Sequence, residues 1–452
     1  MKPAHRIAIL IIIGVVIILL LILSAQQSSG QLTESEMLAQ ADARIEKYRK
    51  GDAVLQLVGP EGRPIEAGQM VQIEQLRHKF LFGCNIFKLG RCRNQNDNAA
   101  YEKYFAQLLN YATLPFYWWT YEPQAGQTDD ARTRQIVRWC KEHQVTTKGH
   151  PLAWNFKDPT WLSGTGETAM DKQFARIERC VGEFKNEIDI WDVVNEATHY
   201  DRAECKKNAP LLTEGITKMG VAAYVRQAFQ AAREAHPQAT LLINDYRTDA
   251  DYAKKIIGEL VDKTGKPLYD VIGIQSHMHG GYWGAQKTWQ VCEDFAGFGK
   301  PLHFTEVTLL SGTEGWPPLQ ISPDPNFSWR STPQGEQRQL EQVTEFYRVL
   351  FSHPAVEAIT WWDFTDQGAW QGAPAGLLHQ DMSPKPAFQA LKQLVKEKWW
   401  TRTTAKLTKD SLIKFRGFYG QYRLTVTTAQ GPLTGTFQFD KETKKSIKVS
   451  LR

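Results

Sequence analysis

From about residue 80 onward, short apolar runs alternate with longer amphipathic stretches. Apolar runs of strand length predict buried parallel strands, and helical spacing of apolar residues predicts the helices between them. The predicted strands cover residues 80–84, 112–116, 145–149, 188–195, 240–244, 271–276, 302–305 and 358–362. The clearest predicted helices cover residues 131–143, 172–184, 224–235, 252–264 and 335–351. Eight such units over roughly 300 residues predict a (β/α)8 or TIM barrel of the α/β class.

A doubly wound parallel sheet is the alternative for alternating strands and helices. A nucleotide-binding sheet of that kind carries a glycine-rich phosphate turn after its first strand. The first strand here ends in Gly83-Cys84-Asn85, which is not such a turn. The barrel is therefore the favoured prediction.

The barrel is flanked by two smaller segments. Residues 34–49 have helical apolar spacing, and residues 53–58 and 69–73 suggest a β-hairpin around a turn at 59–62. After Trp400, apolar and polar residues alternate, which predicts half-buried antiparallel strands that dock on the barrel. We expect four parts: residues 1–25, a helical spacer and hairpin at 26–77, the barrel at 78–398, and a basic β-rich segment at 399–452.

The N-terminus carries an export signal of one of two kinds. Lys2 and Arg6 precede an unbroken apolar run over residues 7–23. This run is longer than the core of most cleaved signal peptides and slightly shorter than most spanning helices. A signal anchor is favoured over a cleaved signal, because Leu23 fits poorly in a small-residue cleavage site. Either signal places the remaining chain outside the cytoplasm, tethered to the cell membrane or secreted.

Charge and cysteine content narrow the function classes. The net charge is +5, and the basic excess lies beyond residue 396, so the main body offers no nucleic-acid surface. The six cysteines lack the spacing of zinc ligands. Cys84 and Cys92 are close enough in sequence to pair, and that pairing is left open. We expect no metal or organic cofactor, and a monomer.

Polar residues stand where the predicted barrel would place a site, at the carboxyl ends of its strands. Two of these residues, Glu196 and Glu306, each lie at the C-terminal end of an apolar run. Burying one unpaired carboxylate is costly, so two of them suggest a working pair. Cleavage of a glycosidic bond needs such a pair: one carboxyl group protonates the leaving oxygen, while the other attacks or activates water.

Six strings of the chain together resemble glycoside hydrolase family 10, the endo-β-1,4-xylanase family. The strings occupy residues 148–154, 191–196, 242–246, 273–277, 304–306 and 361–366, with Trp370 beyond them. They lie on six of the eight predicted strands and follow the family's order. The resemblance covers roughly residues 78–395.

The resemblance implies a retaining mechanism, with Glu196 as general acid/base and Glu306 as nucleophile. It further implies that Asn195 contacts the sugar 2-hydroxyl and that His277 holds Glu306 in place and keeps it ionised. The residues expected to bind substrate are His150, Trp154, Asn155, Asn244, Gln275, Trp362 and Trp370.

The chain departs from the family on the non-reducing side of the substrate. The family's second strand carries a glutamate, an asparagine and a lysine that contact the sugars. Residues 113–123 have aromatic side chains instead, and Asn155 replaces a family histidine. Xylan is therefore the default polysaccharide by resemblance only, and another β-linked glycan fits the altered residues as well.

The favoured function is that of an exported endo-acting β-glycanase. One rival is a surface barrel that binds carbohydrate without cleaving it, which the altered glycone side favours. A second rival is a retaining transglycosylase, which would use the same carboxylates on another β-glycan. Retention of both glutamates with Asn195 and His277 favours an enzyme over the silent barrel.

Overall fold

A computed structural model describes residues 33–315, 329–443 and 446–452. The apolar run at residues 7–23, from which export is predicted, lies outside the described residues. Within the described ranges, no helix has the length and hydropathy to cross a membrane.

The helices are Glu34–Tyr48 (α1), Gln95–Leu108 (α2), Trp118–Tyr121 (α3), Asp130–Glu142 (α4), Gly166–Glu183 (α5), Ala203–Asn208 (α6), Pro210–Met219 (α7), Val221–Ala235 (α8), Gly284–Ala296 (α9), Pro333–Ser352 (α10) and Pro386–Gln393 (α11).

The predicted barrel is present as a closed parallel sheet. Its strands are Leu81–Asn85 (β3), Tyr111–Pro115 (β4), Thr146–His150 (β5), Ile190–Asn195 (β6), Thr240–Asp245 (β7), Val271–Ile274 (β8), Leu302–Val307 (β9) and Val356–Trp361 (β10). Each strand pairs with the next along the chain, and β10 closes the ring on β3. All eight predicted strands form, because their apolar residues are buried on both faces.

The helices cover the barrel through apolar stripes. In α5, Met170, Phe174, Ile177 and Val181 recur at helical spacing, and all four are buried. Thr165 caps this helix by accepting a hydrogen bond from the backbone N–H of Thr168. The predicted helix at 252–264 is a single π-helical segment, Tyr252–Ile257, because the Gly258 N–H bonds to the carbonyl of Ala253 five residues back.

The remaining strands form a second unit, which packs against the end of the barrel where its strands begin. They are Lys50–Val58 (β1), Met70–His78 (β2), Arg402–Lys406 (β11), Leu412–Phe418 (β12), Gly420–Thr428 (β13), Gly431–Phe439 (β14) and Ile447–Ser450 (β15). One sheet has the order β12-β1-β15, and the other has the order β11-β2-β13-β14. Strands from both ends of the chain therefore share one structure.

The predicted β-hairpin is wrong in its pairing. β1 and β2 form close to their expected places, but β1 pairs with β12 and β15, while β2 pairs with β11 and β13. Leu55 on β1 and Ile73 on β2 enter one apolar core together with Leu424 of the C-terminal segment. Each strand has one apolar face, so stacking two sheets buries both faces, which a lone hairpin leaves exposed.

The C-terminal segment docks on the barrel as expected. The His78 ring packs edge-on against Phe82 and Phe351 of the barrel and against Phe418 of the β-unit. The half-buried Arg49 guanidinium donates to the carbonyl of Phe351, near the end of α10, and to that of Val356, the first residue of β10. The division of the chain at residues 25, 77 and 398 stays a prediction.

The six cysteines all lie within the described residues, and each is a free thiol. Cys84 is buried beside the backbone carbonyl of Trp362, and Cys92 is half-buried. The pairing of these two that the sequence left open is therefore not made.

Replacing Gly149 by alanine should destabilise the barrel. Gly149 lies on β5 with the Trp191 ring against its Cα, so an added Cβ would overlap that ring. We expect a loss of about 2–3 kcal/mol of unfolding free energy by overpacking, measured by urea denaturation. Gly182 in α5 is the matched control, because a Cβ there meets nothing within 4 Å. Gly182→Ala should be neutral or stabilising by up to about 1 kcal/mol. Equal effects at the two sites would contradict this packing.

Candidate active site

Glu196 and Glu306 lie at the carboxyl-end mouth of the barrel, where the strand pattern predicted them. Glu196 follows the last residue of β6, and Glu306 is the penultimate residue of β9. Both side chains are more than nine-tenths buried. Glu196 has φ 56° and ψ 39°, in the left-handed region that non-glycine residues rarely adopt. Such backbone strain concentrates at functional sites, where surrounding contacts hold it.

Amide side chains connect the two glutamates. Asn244 Nδ2 donates to Glu306 Oε1 and to Asn195 Oδ1, both at 2.8 Å. Gln275 Nε2 donates to Asn195 Oδ1 at 3.2 Å and to Glu196 Oε1 at 3.1 Å. Both carboxylates are thereby held in one network whose amide members add no net charge.

Glu196 also accepts hydrogen bonds from two side chains outside this network. Trp154 Nε1 donates to Glu196 Oε2 at 3.2 Å. Arg202 Nη2 forms an ion pair with the same oxygen at 2.5 Å. No sequence pattern pointed to Arg202, because this residue lies in the loop beyond β6, outside every strand-end string.

The expected hydrogen bond between His277 and Glu306 is present. His277 Nε2 lies 3.1 Å from Glu306 Oε2, and its Nδ1 lies 2.9 Å from Thr308 Oγ1. Burial lowers the pKa of His277 to about 4, so the ring is neutral near pH 7. A neutral ring with Nε2–H donates to Glu306 while Nδ1 accepts from Thr308.

The predicted role of His277 in keeping Glu306 ionised stays a prediction, and burial acts on this carboxyl group in the opposite direction. Burial, helped by the negative charge of Glu196, raises the pKa of Glu306 to about 7. His150 and Lys148 oppose this shift without cancelling it. Burial therefore favours the protonated form of Glu306 more than in an exposed glutamate.

A buried ion cluster lies behind Glu306. Lys148 Nζ is 2.6 Å from Asp192 Oδ2, and both side chains are fully buried. His150 Nδ1 is 2.8 Å from the same oxygen, and its Nε2 is 3.9 Å from Glu306 Oε1. Burial alone would raise the pKa of Asp192, but Lys148 and His150 hold it below its ordinary value.

The glutamates face a cleft of about 790 Å³, large enough for more than one sugar ring. Its walls are largely aromatic. Trp154 stacks on Phe156 with centroids 4.5 Å apart, and Trp119 tilts against both rings. Most of the sequence-predicted residues border this cleft, namely His150, Trp154, Asn195, Glu196, Gln275, His277, Glu306, Trp362 and Trp370.

Two predicted substrate-binding residues lie behind the cleft surface. Asn244 is fully buried within the amide network. Asn155 donates both amide hydrogens to other groups, one to the Tyr200 carbonyl at 2.6 Å and one to Thr213 Oγ1 at 2.9 Å. Asn155 therefore braces the loop after β6 rather than presenting donors to the cleft. Within the described residues, no cluster of side chains suits a metal ion.

A closed parallel barrel with two glutamates facing an aromatic cleft is the arrangement expected of barrel enzymes that cleave glycosidic bonds. Residues 74–394 match the model of glycosyl hydrolase family 10. The chain belongs to this family, and the resemblance inferred from the strand-end strings is confirmed.

Similar proteins fall in two groups by name. Anti-sigma-I factor RsgI6 of Acetivibrio thermocellus is 26% identical over 397 residues, covering 86% of this chain and 46% of that protein. Endo-1,4-beta-xylanase B of Thermotoga neapolitana is 26% identical over 298 residues, covering 62% of this chain and 78% of that protein. The chain thus spans less than half the length of the anti-sigma factor.

A solved structure shares the fold. Xylanase 10B of Thermotoga petrophila RKU-1, in complex with xylobiose, is 25% identical with a TM-score of 0.57. The match covers 71% of this chain and 95% of that one.

Replacing Glu306 by glutamine should stabilise the fold at alkaline pH. With a folded pKa near 7 and an unfolded value near 4.5, ionisation costs stability as pH rises between these values. Glutamine avoids that cost, by roughly 3 kcal/mol at most, and its amide can donate to His277 Nε2 in the other tautomer. Thermal unfolding should show E306Q more stable than wild type at pH 8.5, with the difference vanishing at pH 4. Glu178 is exposed, so E178Q should show no such pH dependence. A pH-independent difference for E306Q would contradict the raised pKa.

Proposed function

We propose that this protein is a retaining, endo-acting β-glycosidase that hydrolyses β-1,4-linked polysaccharide, with xylan as its first candidate. The observation that carries this proposal is the pair of buried glutamates in one amide network, facing an aromatic cleft. Family membership supports the reaction class, and relatives named endo-1,4-beta-xylanase support xylan. Export through residues 7–23, by anchor or cleaved signal, stays a prediction.

Glu306 acts as the nucleophile in this proposal. Its ionised carboxylate attacks the anomeric carbon, and the bond from that carbon to the leaving oxygen breaks. Glu196 gives its proton to the leaving oxygen. Water then attacks the same carbon, Glu196 takes a proton from it, and Glu306 is released. The active form therefore carries its proton on Glu196 and its charge on Glu306.

The contacts of Glu196 suit the state that follows proton donation. The Arg202 guanidinium and the Trp154 indole both donate to Glu196 Oε2. An ionised carboxylate is stabilised by such donors, and most strongly by a charged one. Arg202 thereby favours the form that accepts a proton from water in the second step.

A glycan-binding barrel without turnover is the second candidate. The resting site favours it in one respect, because Glu196 is paired with a cation while the pKa of Glu306 is near 7. The proposed reaction needs an ionised Glu306, and burial of this carboxyl group opposes that state.

A panel of β-linked polysaccharides tests the function. Xylan, mannan, cellulose and mixed-linkage glucan are incubated with wild type, and the products are analysed by mass and by anomeric NMR at early times. We expect short oligosaccharides from xylan that initially keep the β configuration. Glu306→Ala should lose activity by several orders of magnitude, since the nucleophile is removed. Exposed Glu178→Ala should match wild type. Binding without hydrolysis of any glycan would favour the silent barrel, and enlarged products would favour transglycosylation.

Glu196→Ala tests the division of roles. An acid catalyst matters most when the leaving group is a poor one, because a good leaving group departs without protonation. We expect Glu196→Ala to slow oligosaccharide cleavage far more than release of an activated nitrophenol from an aryl β-xylobioside. Both rates are compared with those of Glu306→Ala, which should fall together. Equal losses on both substrates in Glu196→Ala would contradict the acid role.

A further inference from the structure

Asp363 is a third acidic side chain at the cleft, and the proposed reaction does not use it. It lies two residues beyond β10, borders the cleft and is 8% exposed. Its Oδ1 accepts the backbone N–H of Trp370 at 3.1 Å. Within the described residues, Oδ2 is buried and has no hydrogen-bond partner. A buried oxygen without a donor costs roughly 1–3 kcal/mol, so its presence calls for an explanation.

The surroundings of Asp363 are aromatic on the cleft side. Phe87 packs edge-on against both Trp362 and Tyr117, which continues the aromatic wall past β3 and β4. Asn85 also borders the cleft, and its Nδ2 donates to the Trp362 carbonyl. Aromatic faces bury a sugar ring but accept no hydrogen bond from its hydroxyls in the way a carboxyl oxygen does. Asp363 Oδ2 therefore offers unused hydrogen-bonding capacity at this end of the cleft.

The charges around Asp363 indicate what kind of ligand fits. Burial raises the pKa of Asp363 to about 7, and the charges of Asp366 and Glu306 add to the shift while Lys88 opposes it. Near pH 7 the group is therefore partly neutral and partly ionised. A sugar hydroxyl both donates and accepts, so it can bond either form. A uronate would bring a further negative charge beside Asp363 and Glu306 and is disfavoured.

We propose that Asp363 selects the substrate by hydrogen-bonding one hydroxyl of a neutral sugar at the end of the cleft formed by β3 and β10. This inference rests on the proposed function and deepens it. The sequence supports this position for the contact, because residues 113–123 lack the polar residues that the family resemblance places on the glycone side. Asp363 supplies a carboxyl oxygen at the end of β10, two strands away from β4, beside aromatic rings that offer no such acceptor.

A purely structural role for Asp363 is the competing explanation. Its Oδ1 holds the loop at Trp370, so removing the side chain would disturb that loop for every substrate equally. A selecting role has a different signature, since it depends on one substrate hydroxyl. The two are separated by comparing substrates that differ by that hydroxyl alone.

The test measures kcat/KM for an aryl β-xylobioside and for analogues that each lack one hydroxyl, at pH 8. For one position on the glycone side, we expect wild type to reject the deoxy analogue by about 10²-fold, because Oδ2 is then left unpaired. In Asp363→Ala that penalty should fall below about threefold, while the other deoxy penalties stay. The exposed carboxylate Asp171 gives the matched control, and Asp171→Asn should keep every penalty.

Folding is controlled with a second variant. Asp363→Asn keeps the acceptor for Trp370 and replaces Oδ2 by a neutral N–H donor. The hydroxyl must then turn to accept from this amide, and that contact is weaker than its bond to an ionised carboxylate. We expect the same deoxy penalty to fall at least threefold in Asp363→Asn, with thermal unfolding close to wild type. An unchanged penalty at every position, in whichever variant folds, would overturn the role of Asp363.

Absence of any turnover by wild type would instead contradict the proposed function, and titration of xylobiose into wild type and Asp363→Ala would still test the contact. Equal affinity of both proteins for xylobiose would then overturn the role of Asp363.

Discussion

The site depends on holding two carboxyl groups close together inside a protein without adding a counter-charge between them. Three amide side chains meet this constraint. Asn195, Asn244 and Gln275 come from or just beyond the ends of β6, β7 and β8, and Glu306 comes from β9. These strands are neighbours in a closed parallel sheet, so their ends converge at the same mouth. Opening the ring or shifting the register of one strand would break the network, since successive residues of a strand face opposite sides.

The buried ion cluster behind Glu306 holds a further buried carboxyl group, and here a counter-charge is present. Asp192 is two residues into β6 and fully buried, and its charge is balanced by Lys148 from β5. His150 bonds to Asp192 and approaches Glu306 to 3.9 Å. Lys148, Asp192, His150 and Glu306 thus form a continuous chain of contacts from the barrel interior to its mouth. Removing one member would leave a buried charge without compensation, which costs far more than an exposed ion pair contributes.

The sequence predicted those features that are set by residues close together in the chain. Apolar runs located all eight barrel strands, and the polar residues that end them located Glu196, Gln275 and Glu306. Partners distant in sequence were harder. The alternation in β1 and β2 showed one apolar face on each strand, but the faces meet across a core that includes Leu424 from the other end of the chain. Asn155 has the same strand-end context as a substrate contact, yet Tyr200 and Thr213 take both its amide hydrogens. Arg202 reaches Glu196 from the loop beyond β6, which no residue pattern indicated.

Reaction and selectivity lie on different parts of the barrel mouth. The carboxyl groups and their amide network occupy the ends of β6 to β9, where charge must be positioned to fractions of an ångström. The opposite side, at the ends of β3, β4 and β10, is lined by rings such as Phe87, Tyr117 and Trp362. Stacking on rings buries sugars without distinguishing their hydroxyls, so discrimination falls to the few polar groups with unused capacity. For this reason the relatives named xylanase support the proposed reaction more strongly than the proposed sugar. The two glutamates and their amide network belong to the strings that match the family, whereas residues 113–123 carry aromatic side chains where the resemblance places polar contacts to the glycone.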